Sequence, residues 1–291
     1  MSTVVLLAIT GLGLGALYFL VASGLSLIYG LMGVLNFAHG SFLTLGAFAG
    51  WEIARRTGAD SWVTFLLSLV LGAAVGAVMA ALTEFLLVRR LYERHIEQVL
   101  VTVGLGLATV ALFEGIWGTD PVFITGPAWL EQTTSIAGAR IPNDRFMVIF
   151  VAVLVLLAIV AFLKFTRFGL IIRAGVENRS MVTALGIDVR KAFTLVFAVG
   201  GAAAGLGGVL ASHFFGYVSP LLGGSLLIFA FIVTVIGGLG SLTGAAIASV
   251  AVALLQQFAN FYAGGTGDLA VVLALAVVLL TRPSGLLGKK A

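Results

Sequence analysis

Residues 146–191 read FMVIFVAVLVLLAIVAFLKFTRFGLIIRAGVENRSMVTALGIDVRK, an apolar run followed by a charged island. The island, residues 164–191, holds eight of the chain's 28 charged residues, and long apolar runs lie on both sides of it. An apolar run of about 18 residues or more is typical of a membrane-spanning helix. Charges are costly within lipid, so the island is predicted to be a loop at one face of a membrane.

The rest of the chain repeats this contrast. Of its 291 residues, 60% are hydrophobic and 10% are charged, whereas about 25% are charged in a typical soluble domain. Continuous apolar runs favour helices over the alternating pattern of a membrane barrel. We therefore predict an all-α, polytopic helical bundle that forms one transmembrane domain over residues 1–291.

The membrane segments of this bundle are expected at 4–31, 35–51, 62–88, 96–117, 146–165, 192–213, 222–239, 243–262 and 268–281. Segment 35–51 is short and begins with polar residues, so we expect it to start partway into the membrane.

The distribution of Lys and Arg predicts the orientation, because these residues are enriched in cytoplasmic loops. With the island inside, twelve basic residues lie at the cytoplasmic face and four lie outside: Arg55, Arg56, Arg140 and Arg145. The N-terminus is then outside and the C-terminus inside, and the outer pair Arg55-Arg56 is the weak point of this arrangement.

In this arrangement, residues 118–145 form a long external loop. It is expected either to cover a vestibule or contact an external partner, or to be a solvated connector.

Glycine is the second unusual feature, with 38 residues. Several glycines are spaced four apart, which lets helix backbones approach closely: Gly11/Gly15, Gly46/Gly50, Gly72/Gly76, Gly201/Gly205 and Gly240/Gly244. Two glycine-rich breaks, 30–33 and 237–240, interrupt apolar runs and predict broken helices. Matched interruptions are typical of transporters with a site close to the breaks, although no residue-by-residue repeat is visible.

Small polar residues follow the two breaks and are candidates for a substrate pathway: Asn36, His39, Ser41, Gly240 and Ser241. Asn36 and His39 are three apart and so share a helical face. Such residues either line a polar path or form interhelical hydrogen bonds that stabilise the break. The sequence leaves both open.

Other polar residues within apolar runs are expected to have structural or interfacial roles. Glu84 lies close to the island-side end of its segment, where it is expected to reach Arg89 or Arg90. Glu114 and His213 lie near the opposite ends of their segments, where an interfacial position is expected.

Several classes of function have no signature in the sequence. It contains neither cysteine nor a P-loop, His-Glu-x-x-His or Gly-x-Ser-x-Gly motif, and its three histidines are far apart. We therefore expect no enzymatic activity, bound metal or cofactor, and no ATP binding by this chain. The positive net charge is attributed to cytoplasmic loops and not to nucleic-acid binding.

Six motifs together resemble the LivH-type permeases, the inner-membrane subunits of ABC importers for branched-chain amino acids. They are GLSLIYG at 24–30, NFAHG at 36–40, RAGVEN at 173–178, ALGID at 184–188, GGLGSLTGA at 237–245 and RPSGLLG at 282–288. The resemblance extends over nearly the whole chain. It departs at Ser41, where the family often has an acidic residue.

The resemblance implies a multi-pass inner-membrane protein with four kinds of partner: surrounding lipid, a second LivM-like permease, two cytoplasmic ATPases that bind the ATP, and a periplasmic substrate-binding protein. The substrate would be a branched-chain or related hydrophobic amino acid, but related permeases also carry urea, short amides or aromatic acids. A channel or secondary carrier that acts alone remains the alternative.

The island would be the family's cytoplasmic coupling loop. A short helix over 175–187, with Gly186 as its terminator, is expected to dock an ATPase. The residues that the resemblance places in this contact are Arg173, Ala174, Glu177, Asn178, Arg179, Ala184, Leu185, Gly186 and Ile187.

Overall fold

The computed structural model describes residues 2–33, 35–58, 60–92, 94–186 and 189–288, with the side chains at 176, 177, 179 and 180 outside the described set. Helices dominate these residues. In chain order they are α1 (Ser2–Met32), α2 (His39–Thr57), α3 (Trp62–Leu86), α4 (His95–Trp117), α5 (Ala128–Glu131), α6 (Asn143–Phe165), α7 (Arg167–Glu177), α8 (Arg179–Ala184), α9 (Val189–Phe215), α10 (Leu222–Gly237), α11 (Leu242–Tyr262) and α12 (Gly267–Thr281). A 3₁₀ turn spans Val88–Leu91, and the short strands are β1 (Val122–Phe123), β2 (Thr133–Ile136), β3 (Ala139–Pro142) and β4 (Tyr217–Val218).

Within the described residues, six helices are long and apolar enough to cross a membrane: α1, α3, α4, α6, α9 and α11. Helices α10 and α12 are apolar but have 16 and 15 residues, and α2 has a more polar composition. Each of the nine predicted segments corresponds to one of these nine helices. The polytopic helical bundle is thereby confirmed.

Helix α9 packs against α1, α2 and α3. Glycines spaced four apart bring it into backbone contact with α3, where Gly201 faces Gly76 and Gly205 faces Gly72. A Cβ atom on Gly205 would overlap the carbonyl oxygen of Gly72, and Gly46 of α2 packs on the same glycine. The four-apart glycines of these helices therefore bring backbones together, as predicted.

Helix α2 begins inside the bundle. Helix α1 ends at Met32, and the chain turns back at Gly33, whose φ is +68°. His39, the first residue of α2, contacts the carbonyl oxygen of Val21 through Nε2 at 3.2 Å. Val21 lies about 16 Å before the end of α1. The segment therefore starts inside the bundle, and its predicted start partway into the membrane stays a prediction.

The two glycine-rich breaks meet each other. A Cβ atom on Gly30 would lie 3.0 Å from the Cα atom of Gly240. The C-terminal segment closes the second break, since the backbone N–H groups of 286–287 donate to the carbonyls of 236–237 at 2.8 and 3.0 Å. These bonds satisfy carbonyl groups that the end of α10 would otherwise leave without partners.

The opposite end of the bundle carries the short strands, and we call it the hairpin end. Strands β2 and β3 form an antiparallel hairpin whose two turn residues, Ala137 and Gly138, both have positive φ. This geometry matches the right-handed twist of the paired strands. Strand β1 pairs with β4, which follows α9. Residues between α4 and α6, predicted as an external loop, therefore include a defined hairpin and a strand tied to the bundle.

The end of α2 belongs to the hairpin end. Trp51 Nε1 donates to the carbonyl oxygen of Phe123 at 3.2 Å. Arg55 and Arg56 both pair with Glu52, at 2.8 and 2.5 Å. The basic pair therefore lies on the side away from the island, as the predicted topology requires, and a neighbouring carboxylate offsets part of its charge.

The island differs from its prediction. In place of one helix over 175–187 there are two, α7 and α8, separated at Asn178. Asn178 has φ −155° and ψ 93°, and its side chain accepts a hydrogen bond from the backbone N–H of Met181 at 3.0 Å. It therefore caps the start of α8 and ends α7. We call the side of the bundle that carries α7 and α8 the island end.

Candidate functional site

The island helices are fixed to the bundle along one side. Gly169 of α7 lies against the last turn of α6 so closely that a Cβ atom would overlap the carbonyl oxygen of Phe162. Ile172 and Val182 are buried, at 2% and 4% exposed. A Cβ on Gly175 would lie 3.1 Å from Leu31 Cδ1, at the end of α1. Helix α7 therefore contacts the first glycine-rich break directly.

The other side of the island is open. Two large apolar side chains project from α8 and the residue after it, with Met181 60% exposed and Leu185 68% exposed. Met181 and Leu185 are four residues apart, so they lie on one side of this short element, whereas Val182 is buried. We call Met181 and Leu185 the apolar pair. Met181 was not among the residues predicted from the sequence.

Leu185 is one of the predicted coupling residues, and the others belong to the same island. Arg173, Asn178, Ala184 and Gly186 are exposed, while Ala174 is half-buried. The predictions for the side chains of Glu177 and Arg179, and for Ile187, lie outside the described residues.

Gly186 terminates α8, as predicted. Its φ is +77°, a region that glycine adopts without strain. Its backbone N–H donates to the carbonyl of Thr183 at 3.0 Å, and the N–H of Leu185 donates to Met181 at 3.1 Å. These bonds close the last turn of α8 and hold Leu185 at its exposed end.

A polar cluster around a buried carboxylate fixes the start of α9, immediately after the island. Glu84 of α3 is fully buried, and it accepts from Thr194 Oγ1 at 2.6 Å. Arg89 donates to Glu84 at 3.3 and 3.4 Å and to Thr194 at 2.8 Å. Tyr92 also donates to Glu84. We call Glu84, Arg89, Tyr92 and Thr194 the Glu84 cluster.

The Glu84 cluster connects α3, the 3₁₀ turn and α9 through charge-assisted bonds. Burial raises the pKa of Tyr92, so its hydroxyl remains a hydrogen-bond donor at neutral pH. The predicted pairing of Glu84 with a nearby arginine is correct, and the partner is Arg89. The role of Thr194 could not be predicted, because it lies over 100 residues away in the chain.

Three of the predicted pathway residues lie together inside the bundle. Asn36 and His39 are fully buried and Ser41 is 6% exposed. Asn36 Oδ1 accepts from the N–H of Ala38 at 3.1 Å, which turns the chain into α2. Ser41 Oγ is hydrogen-bonded to Thr109 Oγ1 of α4. These bonds support a structural role for the three residues in this conformation.

Two polar atoms in this group have no hydrogen-bond partner within the part of the chain that the structure describes. They are Asn36 Nδ2 and His39 Nδ1, and Ser26 Oγ of α1 is a third. Burying such atoms without a partner is costly. This segment is therefore where a polar ligand, a water molecule or a rearrangement of α2 would find bonding capacity.

The other two predicted pathway residues lie elsewhere. Gly240 is exposed at the island end, with φ +81°, and packs on Gly30. Ser241 accepts from the N–H of Gly244 at 3.1 Å and caps α11. The predicted set is thus divided between the interior of the bundle and the second break. The contact between Gly30 and Gly240 is what connects the two groups.

The remaining polar candidates from the sequence lie outside these two groups. His213 is half-buried at the hairpin end, with its ring 5.1 Å from that of Phe65, and the structural or interfacial role expected for it stays a prediction. Among the described residues, no group of three His, Cys, Asp or Glu side chains is placed to hold a metal ion.

Comparison with known proteins identifies the family. The family described as "Branched-chain amino acid transport system / permease component" matches residues 7–281. The chain is 28% identical to the high-affinity branched-chain amino acid transport system permease protein LivH of Salmonella typhimurium, over 96% of this chain and 94% of that one. It is 27% identical to the permease protein BraD of Pseudomonas aeruginosa, named for the same transport system, over 97% and 94% of the two chains.

Among solved structures, PsaBC from Streptococcus pneumoniae in complex with Fab aligns with a TM-score of 0.46 and 15% identity, over 94% of this chain and 89% of that one. The match to the family profile extends from α1 to the end of α12 and includes both breaks and the island. The chain therefore belongs to the family of permease components of branched-chain amino acid transport systems.

Proposed function

We propose that this chain is one of two permease subunits of an ABC importer that takes up branched-chain or related hydrophobic amino acids. A second LivM-like permease completes the pathway. Two cytoplasmic ATPases supply the energy, and a periplasmic binding protein delivers the substrate. The chain itself carries out no chemical reaction and binds no cofactor. Family membership supports this assignment, and the exposed apolar pair on the island is the structural observation that supports it most.

The apolar pair suits a protein partner. Met181 and Leu185 offer apolar surface to a groove, and the surrounding polar residues would form the rim of the contact. Arg173 and Asn178 of the island are also exposed. In this assignment the island is the surface through which ATPase movement reaches the membrane helices.

The connections of the island suggest where that movement goes. Helix α7 contacts Leu31 at the end of α1 through Gly175, and the chain then turns at Gly33 into the segment that holds Asn36. A shift of α7 therefore acts directly on the break that sets the position of α2. We propose that substrate passes when the chain opens at this break, and that Asn36 and His39 then face the path.

The island is assigned to the cytoplasm and the hairpin end to the periplasm of a multi-pass inner-membrane protein. This orientation is supported by the twelve basic residues on the island side against four on the other.

Reconstitution into liposomes tests the division of labour. The permease pair with its ATPases and binding protein should accumulate radiolabelled leucine when ATP is supplied on the side of the vesicle membrane that carries the ATPases. This chain alone should not accumulate leucine. A panel of competitors comprising valine, isoleucine, phenylalanine, urea and a short amide would define the substrate class. Full-rate uptake by the isolated chain would contradict the proposal and favour a channel or secondary carrier.

A single substitution tests the proposed role of Asn36 at this break. Asn36→Leu removes the side-chain acceptor for the N–H of Ala38, so leucine uptake should fall at least about fivefold, which corresponds to the loss of about one hydrogen bond. Assembly with the partner subunits should persist.

The matched control for Asn36→Leu is Ser212→Ala, which removes a fully buried hydroxyl that donates to the carbonyl of Val209 in its own helix at 2.7 Å. Its uptake should equal that of the wild type. Equal uptake in the two variants would remove Asn36 from the pathway.

A further inference from the structure

A groove on the outer surface of the bundle lies between α7 and α9, outside the predicted substrate and ATPase contacts. Its volume is about 370 Å³, and it is lined by Phe168, Lys191, Thr194, Leu195 and Ala198. The lining is apolar apart from Lys191 and Thr194. The hydroxyl of Thr194 is already bonded to Glu84 and Arg89, so it offers little to a polar ligand.

The groove has a polar end and an apolar end. Lys191 lies in the first turn of α9, and Ala198 lies about 10 Å deeper along the same helix. Phe168 of α7 forms the facing wall. A cationic side chain at the membrane surface with an apolar channel leading inward has the polarity of a phospholipid.

The surroundings continue this pattern. Phe165 and Leu170, on either side of Phe168 in the chain, are 77% and 61% exposed. Lys164 and Arg167 lie in the same short stretch and are also exposed. Large apolar side chains next to basic ones are typical of a helix that lies in the membrane interface beside anionic lipid.

We propose that this groove binds an anionic glycerophospholipid. One acyl chain lies between Phe168 and the Leu195–Ala198 face of α9, and the headgroup phosphate pairs with Lys191. The bound lipid fills the space between α7 and α9 and attaches the island to the bilayer surface. The site depends neither on the transported substrate nor on ATP.

Native mass spectrometry of the purified full-length chain tests this proposal. In the wild type, phosphatidylglycerol should remain bound in preference to phosphatidylcholine of the same acyl chains. Lys191→Gln should weaken phosphatidylglycerol binding about fivefold, the weight of one basic side chain at an anionic membrane surface, and leave phosphatidylcholine unchanged. Ala198→Trp should fill the apolar end and weaken both lipids.

Two controls make the result specific. Arg282→Gln removes an exposed basic residue that does not line the groove, and it should bind phosphatidylglycerol like the wild type. Inorganic phosphate at millimolar concentration should not displace the lipid, because the acyl chain contributes to binding. The proposal fails if the wild type binds both lipids equally, if Lys191→Gln and Arg282→Gln behave alike, or if free phosphate alone competes.

Discussion

The pair of helices α3 and α9 and the island helices α7 and α8 are neighbours built in opposite ways. Helices α3 and α9 meet backbone to backbone through Gly72, Gly76, Gly201 and Gly205, and the Glu84 cluster ties their island-side ends together. The island has a few buried anchors and an exposed apolar pair. The last residues of the island lead directly into α9.

Under the proposed function, this difference would let force on the island move membrane helices. A flexible start of α9 would absorb the displacement of α8 by local unwinding. The Glu84 cluster instead fixes the first turns of α9 to α3, so the pair is expected to move as one body. Helix α6, at the other end of the island, is held to α7 by the close contact at Gly169. The exposed surface is thus attached at both ends to rigid elements.

The largest expected effect comes from separating the two rigid helices. Gly205→Ala places a Cβ atom against the carbonyl oxygen of Gly72, and backbone on both sides must move. We expect a loss of about 3 kcal/mol in the free energy of unfolding, seen as a midpoint lowered by roughly 5–10 °C in detergent. Gly104→Ala, on α4 with open space around it, is the matched control and should be neutral or slightly stabilising. Equal midpoints in the two variants would contradict the rigid-pair account.

The next effect concerns the Glu84 cluster. Glu84→Gln leaves Arg89 without its carboxylate partner, and we expect a loss of about 2 kcal/mol, moderated because Arg89 is partly exposed. The control is Glu97→Gln, since the pair of Glu97 with Arg94 is exposed, and it should change stability by less than about 0.5 kcal/mol. Thermal unfolding of the two variants measures both losses. Equal losses in Glu84→Gln and Glu97→Gln would contradict a stabilising role for the Glu84 cluster.

A smaller effect is expected on the island itself. Gly186→Ala forces a side chain into the left-handed region and should cost about 1 kcal/mol. Open space surrounds this glycine, so the cost is conformational and not steric. Gly186→Asn should cost less, because Asn tolerates this conformation. Limited proteolysis at the island measures the change; cleavage that is equally fast in both variants would indicate that α8 does not depend on this turn.

Much of the fold could be predicted from local patterns. Apolar runs located the nine helices, and glycine spacing predicted close packing for α3 and α9 without predicting that these two helices pack on each other. The division of the island at Asn178 also has a local signal, the capping preference of asparagine, but the prediction relied on a single helix. Contacts such as Thr194 with Glu84 join distant parts of the chain, and neither periodicity nor composition carries that information.

The candidate site was predictable to a lesser degree. Leu185 and Gly186 were identified because a family motif contains them, whereas the exposure of Met181 depends on how α8 is seated against the bundle. The groove beside Lys191 lies where α7 meets α9, a contact that no sequence pattern specifies. Asn36 and His39 were expected to share a helical face, but Asn36 precedes α2 and turns the chain into it.

The central claim is that the apolar pair docks the ATPases, and co-purification of the assembled transporter tests it most directly. Leu185→Asp should insert normally but retain less than about a tenth of the ATPase subunits, since a buried charge at the contact costs at least about 1.4 kcal/mol. Leu221→Asp, at a similarly exposed leucine at the hairpin end, should retain them in full. Equal ATPase retention by Leu185→Asp and Leu221→Asp would contradict the account.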